Sequence, residues 1–169
     1  MRSVWIGIFG LLSCHAVVAQ DSAAAAPAAP ADCSGMEYRA FDFWIGAWNV
    51  SSDGVYAGTN DVTAEYRGCT LREHWQGADG GKGTSLNGYD RKTQQWKQLW
   101  IDDRGGLVEL IGGPQGDAMV MLSVAPGNDG RNHRVSWTPN SDGSVRQLWQ
   151  SRREGEEWAT VFDGMYRRR

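Results

Sequence analysis

The stretch QWKQLWID, residues 95–102, puts Trp96, Gln98, Trp100 and Asp102 at alternate positions and Lys97, Leu99 and Ile101 between them. A period of two is the signature of a strand, because successive side chains point to opposite faces of the pleat. Similar short runs surround it: FDFWIGAW (41–48), REHWQ (72–76), VSWTP (135–139), VRQLWQS (145–151) and EEWATVF (156–162). Eight tryptophans fall between residues 44 and 158, and turn residues follow each run. This is the pattern of a β-meander with an aromatic-lined interior.

About ten segments are strand candidates for a barrel of about eight to ten strands: 43–51, 60–67, 70–76, 84–90, 95–102, 107–112, 118–124, 133–138, 144–151 and 157–166. Gly- and Asp-rich punctuation separates them, at Gly77–Gly81, Arg104–Gly106, Gly113–Gly116, Asn128–Gly130 and Ser141–Gly143. Such short connections make sequential antiparallel neighbours the economical topology. No window shows the 3.6-residue period of a crossover helix, so the class is all-β. A twisted sheet of eight to ten strands curls, and closure removes its two edges; an antiparallel up-and-down barrel is expected in preference to a sandwich.

The N-terminus reads as an export signal: Arg2, an apolar run from Val4 to Leu12, and Val17-Val18-Ala19 before a cleavage at Gln20. Leu11-Leu12-Ser13-Cys14 offers the competing reading of a lipobox that would anchor the chain through Cys14. Residues 20–36 contain DSAAAAPAAPAD, an Ala/Pro-rich flexible linker, and 37–169 form the barrel domain. Cleavage removes Arg2 and no acid, so the formal net charge moves from −3 to −4. A mildly acidic domain lacks the basic footprint of a nucleic-acid binder, and no apolar stretch of the mature chain is long enough for a membrane span. Arg167, Arg168 and Arg169 read as a solvated tail. The expected location is periplasmic or extracellular, and the sequence does not decide the oligomeric state. Cys33 and Cys69 are left after processing. In an oxidising compartment an even pair bridges, the alternative being two buried thiols.

Parity names the inward face, Glu73 and Trp75; Asn87 and Tyr89; Trp96, Gln98, Trp100 and Asp102; Val145, Gln147 and Trp149, and of these Glu73, Trp75, Asn87, Tyr89, Gln98, Trp100, Gln147 and Trp149 are the eight ligand-binding candidates. Rings supply apolar area, and amides or a carboxylate fix orientation, the usual division of labour in a pocket for a small apolar or amphipathic molecule. The same polar groups would equally serve a packed core, by satisfying the indole N–H groups and one another. A one-residue shift would substitute Arg72, His74, Lys97, Leu99, Arg146 and Leu148, a face suited to solvent.

Catalytic markers are thin. Glu73 and Asp102 are the candidates for a carboxylate pair. His74 and His133 read as surface residues, and no Gly-x-Ser-x-Gly elbow is present. Two histidines and two bridged cysteines supply no zinc set, so no metal and no cofactor are expected. GADGGKGTS at 77–85 departs from a phosphate loop, with Gln76 where its first Gly belongs and Gly83 after Lys82; it reads as a hairpin loop at the barrel mouth. The remaining alternative is an interaction module with exposed tryptophans as a platform for carbohydrate or protein.

Gly46-x-Trp48 within FDFWIGAW resembles the opening of lipocalin-like (calycin) barrels. With GCTLREHW, GTSLNGYD, WKQLWIDDRGG, WTPNSDGSVRQLW and FDGMYRR, most of residues 33–168 resembles an uncharacterised family of exported bacterial proteins. The resemblance implies a calycin-like barrel and a habit of binding small ligands, without an activity. It also implies an arginine of the last strand packed across Trp48, a part it gives to Arg167. Haem binding, as in some ten-stranded calycin relatives, would require an inward histidine, and parity puts neither His74 nor His133 on the aromatic face.

Overall fold

A computed structural model of the protein describes residues 33–169, so the expected export signal, Cys14 and most of the expected Ala/Pro-rich linker lie outside the described residues. Ten strands follow one another: β1 Gly46–Ser52, β2 Val55–Glu65, β3 Thr70–Gly77, β4 Lys82–Asp90, β5 Gln95–Asp102, β6 Leu107–Gln115, β7 Ala118–Ser123, β8 Asn132–Pro139, β9 Val145–Arg152 and β10 Ala159–Arg168. Each pairs antiparallel with its sequence neighbours, and β10 returns to pair with β1, closing an up-and-down barrel. The closing register sets Trp48 opposite Arg168 and Val50 opposite Tyr166.

Most strand boundaries shift by one to three residues from the sequence expectation, β6 running through the expected Gly113–Gly116 turn to Gln115, and the shifts at the starts of β1 and β2 have a local cause. Residues 43–45 do not extend β1, because Asp42–Trp44 form a 3-10 turn that carries Trp44 under the barrel. β2 begins at Val55 rather than 60, since Asp53 and Gly54 both take positive φ (50° and 76°) and turn the chain in two residues. Asp-Gly is a favoured pair for such a hairpin turn, whose twist matches that of the flanking strands.

The inner face closes first at one end. The helical turn α1, Met36–Arg39, and the 3-10 turn after it lay Tyr38, Phe41 and Trp44 across the end of the barrel. Phe41 stacks on Trp44 at 4.9 Å between centroids and meets Trp96 and Trp137 edge-on at 5.6 and 5.1 Å. Trp48 Nε1 donates to Trp44 O at 3.0 Å, and Trp96 Nε1 donates to Glu37 O at 3.0 Å. Aromatic rings bury large apolar areas and prefer edge-on or offset contact, so this segment acts as an aromatic floor. The Cys33–Cys69 disulfide, spanning 36 residues, ties the segment to the turn before β3. In the chain-entropy account a loop of this length contributes about 3–4 kcal/mol.

Arg168, not Arg167, lies over Trp48, its guanidinium 4.4 Å from the ring centroid and its Nη1 3.0 Å from Ile45 O. The reason is parity. Arg168 is the register partner of Trp48, whereas Arg167 is opposite Asn49. The three arginines are exposed, as expected, but form no free tail: Arg167 and Arg168 belong to β10, and Arg169 N donates to Ala47 O at 2.9 Å while its guanidinium pairs with Asp61. No α-helix follows β10 among the described residues.

Candidate functional site

Above the floor the barrel interior is not filled. A cavity of about 210 Å³ is lined by Glu73 and Trp75 of β3, Gln98 and Trp100 of β5, Val108 and Leu110 of β6, Val135 of β8, Gln147 and Trp149 of β9, and Val161, Phe162 and Tyr166 of β10. It opens towards the end of the barrel that carries the 78–81, 103–106 and 124–131 connections. Its aromatic walls are accommodated by missing side chains. A Cβ on Gly83 would stand 2.3 Å from the Trp100 ring, and one on Gly164 would stand 2.3 Å from the Phe162 ring. Only glycine permits such an approach.

A chain of hydrogen bonds runs round the inner wall below the cavity. Asn60 Nδ2 donates to Glu73 Oε1 at 2.9 Å, and Ser85 Oγ donates to Glu73 Oε2 at 2.6 Å. Asn87 Nδ2 donates to Ser85 Oγ and Leu71 O, and Gln98 Nε2 donates to Asn87 Oδ1 at 2.7 Å. The Tyr166 hydroxyl, near the Glu73 carboxylate, donates to Gln147 Oε1. Register explains the chain: Asn60 lies opposite Trp75, one pleat from Glu73, while Glu73–Ser85 and Asn87–Gln98 are direct cross-strand partners. Buried polar groups thus satisfy one another along adjacent strands.

Glu73 is the one carboxylate on this wall, 4 % exposed, with no cationic side chain paired to it among the described residues. Burial pushes its pKa up to about 7, against the opposing hydrogen bonds from Ser85 and Asn60. Burial, and then the neighbouring Glu73 charge, raise the Tyr166 hydroxyl well above its ordinary value.

The structure brings six of the eight sequence-derived ligand residues to one cavity: Glu73, Trp75, Gln98, Trp100, Gln147 and Trp149. Asn87 sits in the hydrogen-bond chain beneath it, and Tyr89 joins the floor, 5.2 Å from Tyr38. Asp102 is not part of the cavity wall. Its Oδ1 accepts from Arg104 N and Gly106 N at 3.0 and 2.7 Å, which builds the turn between β5 and β6, so no carboxylate pair with Glu73 faces the cavity. The alternative face, including Arg72, His74, Leu99 and Arg146, is exposed.

His133 corrects the parity reading of the histidines. It shares the inner face of β8 with Val135 and Trp137, is 7 % exposed, and accepts a hydrogen bond from Trp149 Nε1 at Nδ1, 3.0 Å away. The amides, hydroxyls and carboxylate of the inner wall bond to one another, as one of the two expectations had it, and take up none of the indoles described next. Backbone carbonyls of the floor segment and His133 receive Trp48, Trp96 and Trp149, whereas the N–H groups of Trp44 and Trp137 are buried without a partner. The sequence reading missed Asn60, Ser85 and Tyr166. Ser85 was accessible from its parity with Asn87, whereas Tyr166 was hidden by the register shift between Thr160 and Phe162.

Among the described residues, no three His, Cys, Asp or Glu side chains converge in a way that would hold a metal ion, and no helix is long and apolar enough to cross a membrane. No protein-family model matches the chain, and no curated protein matches it either.

Proposed function

We propose that the protein is an exported, non-enzymatic β-barrel that binds a small, partly apolar molecule. The observation that carries this reading is the cavity of about 210 Å³, floored by packed rings and walled by Trp75, Trp100, Trp149 and Phe162, with Glu73, Gln98 and Gln147 as its polar groups. A barrel whose core is only a packed solid would fill that space, because interiors pack to crystal-like density. A cavity of about 150 Å³ suffices for benzene, so this one suits a single ring with a short chain. The disulfide and the apolar N-terminal run support export, and the Gly46-x-Trp48 strand with Arg168 across it supports kinship with lipocalin-like barrels. Native mass spectrometry of protein purified from its own exported fraction, followed by solvent extraction, tests the reading. A stoichiometric small molecule supports it. A clean apo mass, with indole fluorescence unmoved by a broad ligand library, removes it.

A second reading, acid–base catalysis, rests on Glu73 alone, whose pKa of about 7 suits proton transfer near neutrality. It predicts a reaction that Glu73→Gln abolishes without lowering stability, and an activity screen decides it.

A further inference from the structure

The cavity carries one negative group and no positive one. Of its twelve lining residues Glu73 alone can bear a charge near neutral pH, and the other polar members, Gln98, Gln147 and Tyr166, are neutral there. The groups that hold its carboxylate, Asn60 of β2 and Ser85 of β4, are neutral donors. Tyr166 of β10 and, outside the cavity lining and bonded to the Trp149 indole, His133 of β8 are the other titratable side chains of this inner face. A buried carboxylate is ordinarily matched by a buried cation, since desolvating an unmatched charge is costly. Here the structure supplies the dipoles and omits the counter-charge.

The remaining wall has the complementary character. Trp75, Trp100, Trp149, Phe162 and Tyr166 surround the space above Glu73. Ring faces are electronegative: they attract a desolvated cation and repel an anion. Carboxylate and rings therefore select the same sign of guest.

Resting on the small-molecule-binding reading above, we propose that the occupant of the cavity is an organic cation, an amine on a ring-sized apolar body, with its ammonium group against Glu73 and its body among Trp75, Trp100 and Trp149. The cation completes the ion pair that the barrel lacks, and the raised pKa of Glu73 describes the empty site. Occupation by an ammonium ion then lowers that pKa, so uptake of the cation releases a proton wherever the empty site is protonated.

The test uses the purified protein, with phenethylamine and tryptamine as cationic probes and phenethyl alcohol, tryptophol and phenylacetate as neutral and anionic counterparts, read by calorimetry and indole fluorescence at pH 8. The amines are expected to bind at least about tenfold tighter than the alcohols, with phenylacetate weakest. Glu73→Gln erases the difference. In the unsubstituted protein, amine affinity falls as pH drops below about 7, approaching tenfold per unit, while alcohol affinity stays flat. This titration decides the matter even if the variant does not fold. Alcohols binding as tightly as amines, or an amine preference indifferent to pH and to Glu73→Gln, overturns the cation assignment and leaves the binding reading intact. No binding by any probe, together with a clean native mass, overturns both.

Discussion

Arg168 and Glu73 show how a single side chain can be assigned by its register. Arg168 caps Trp48 through a cation–π contact and a bond to Ile45 O, whereas Arg167 is on the opposite face of β10. Arg168→Ala is expected to destabilise the protein by about 1 kcal/mol, and Arg167→Ala by less than about 0.5 kcal/mol, in urea unfolding. Equal effects would contradict the assignment. Glu73 links stability to pH. Its folded pKa, about 7, lies above the ordinary value of 4.5, so the folded state binds the extra proton. Stability contributed by that proton is fully present below about pH 4.5 and is lost as pH rises through about 7, to a total of about 3 kcal/mol. Glu73→Gln should flatten this segment of the profile, making the variant at least as stable as the parent at pH 8. Denaturant midpoints at pH 5 and pH 8 check the sign.

At the scale of elements, the floor is a separate piece of chain packed against the end of the barrel. Its rings are packed under β5 and β8, and one covalent bond pins its start to the turn before β3. Replacing both Cys33 and Cys69 by Ser should lower the unfolding free energy by about 3–4 kcal/mol, measured in urea, without changing the strand signature in circular dichroism. β4 and β10 contribute through what they lack. Gly83→Ala places a methyl group where the Trp100 ring now lies, so the ring must move. An altered indole emission and weaker binding of ring-sized probes are the expected outcomes, and unchanged emission would show that the ring does not rest on Gly83. The strands themselves were legible because alternation survives in most runs, those of β3, β5, β8 and β9 among them. The 3-10 turn at Asp42–Trp44 was not, since FDFWIGAW alternates in sequence while a tertiary demand, covering the barrel end, bends it.

For the whole molecule, closure depends on β1 finding β10 across nearly the full length of the domain. Deleting 167–169 removes two of the five closing register pairs, Trp48–Arg168 and Asn49–Arg167. The deletion should expose the start of β1 as an unpaired edge, and light scattering should detect self-association that the full chain does not show. Persistence of a monodisperse monomer would mean that the seam is held by its other three pairs.

By itself the sequence determined the all-β class, about ten strand candidates, the antiparallel order and most of the inner face, because pleat parity and turn chemistry are local properties read within eight or nine residues, whereas the closing pair of strands was left to the tertiary structure. It also singled out Glu73, Gln98 and Gln147, which share parity with tryptophans on their own strands. Only the tertiary structure decided that Glu73 faces an open cavity while Asp102 builds a turn. It alone brought Asn60 and Ser85 to the two carboxylate oxygens, and placed His133 inside rather than out. These facts depend on register between strands, on a bulge in β10 and on glycines that yield space to distant rings, none of which leaves a mark on the period of a single strand.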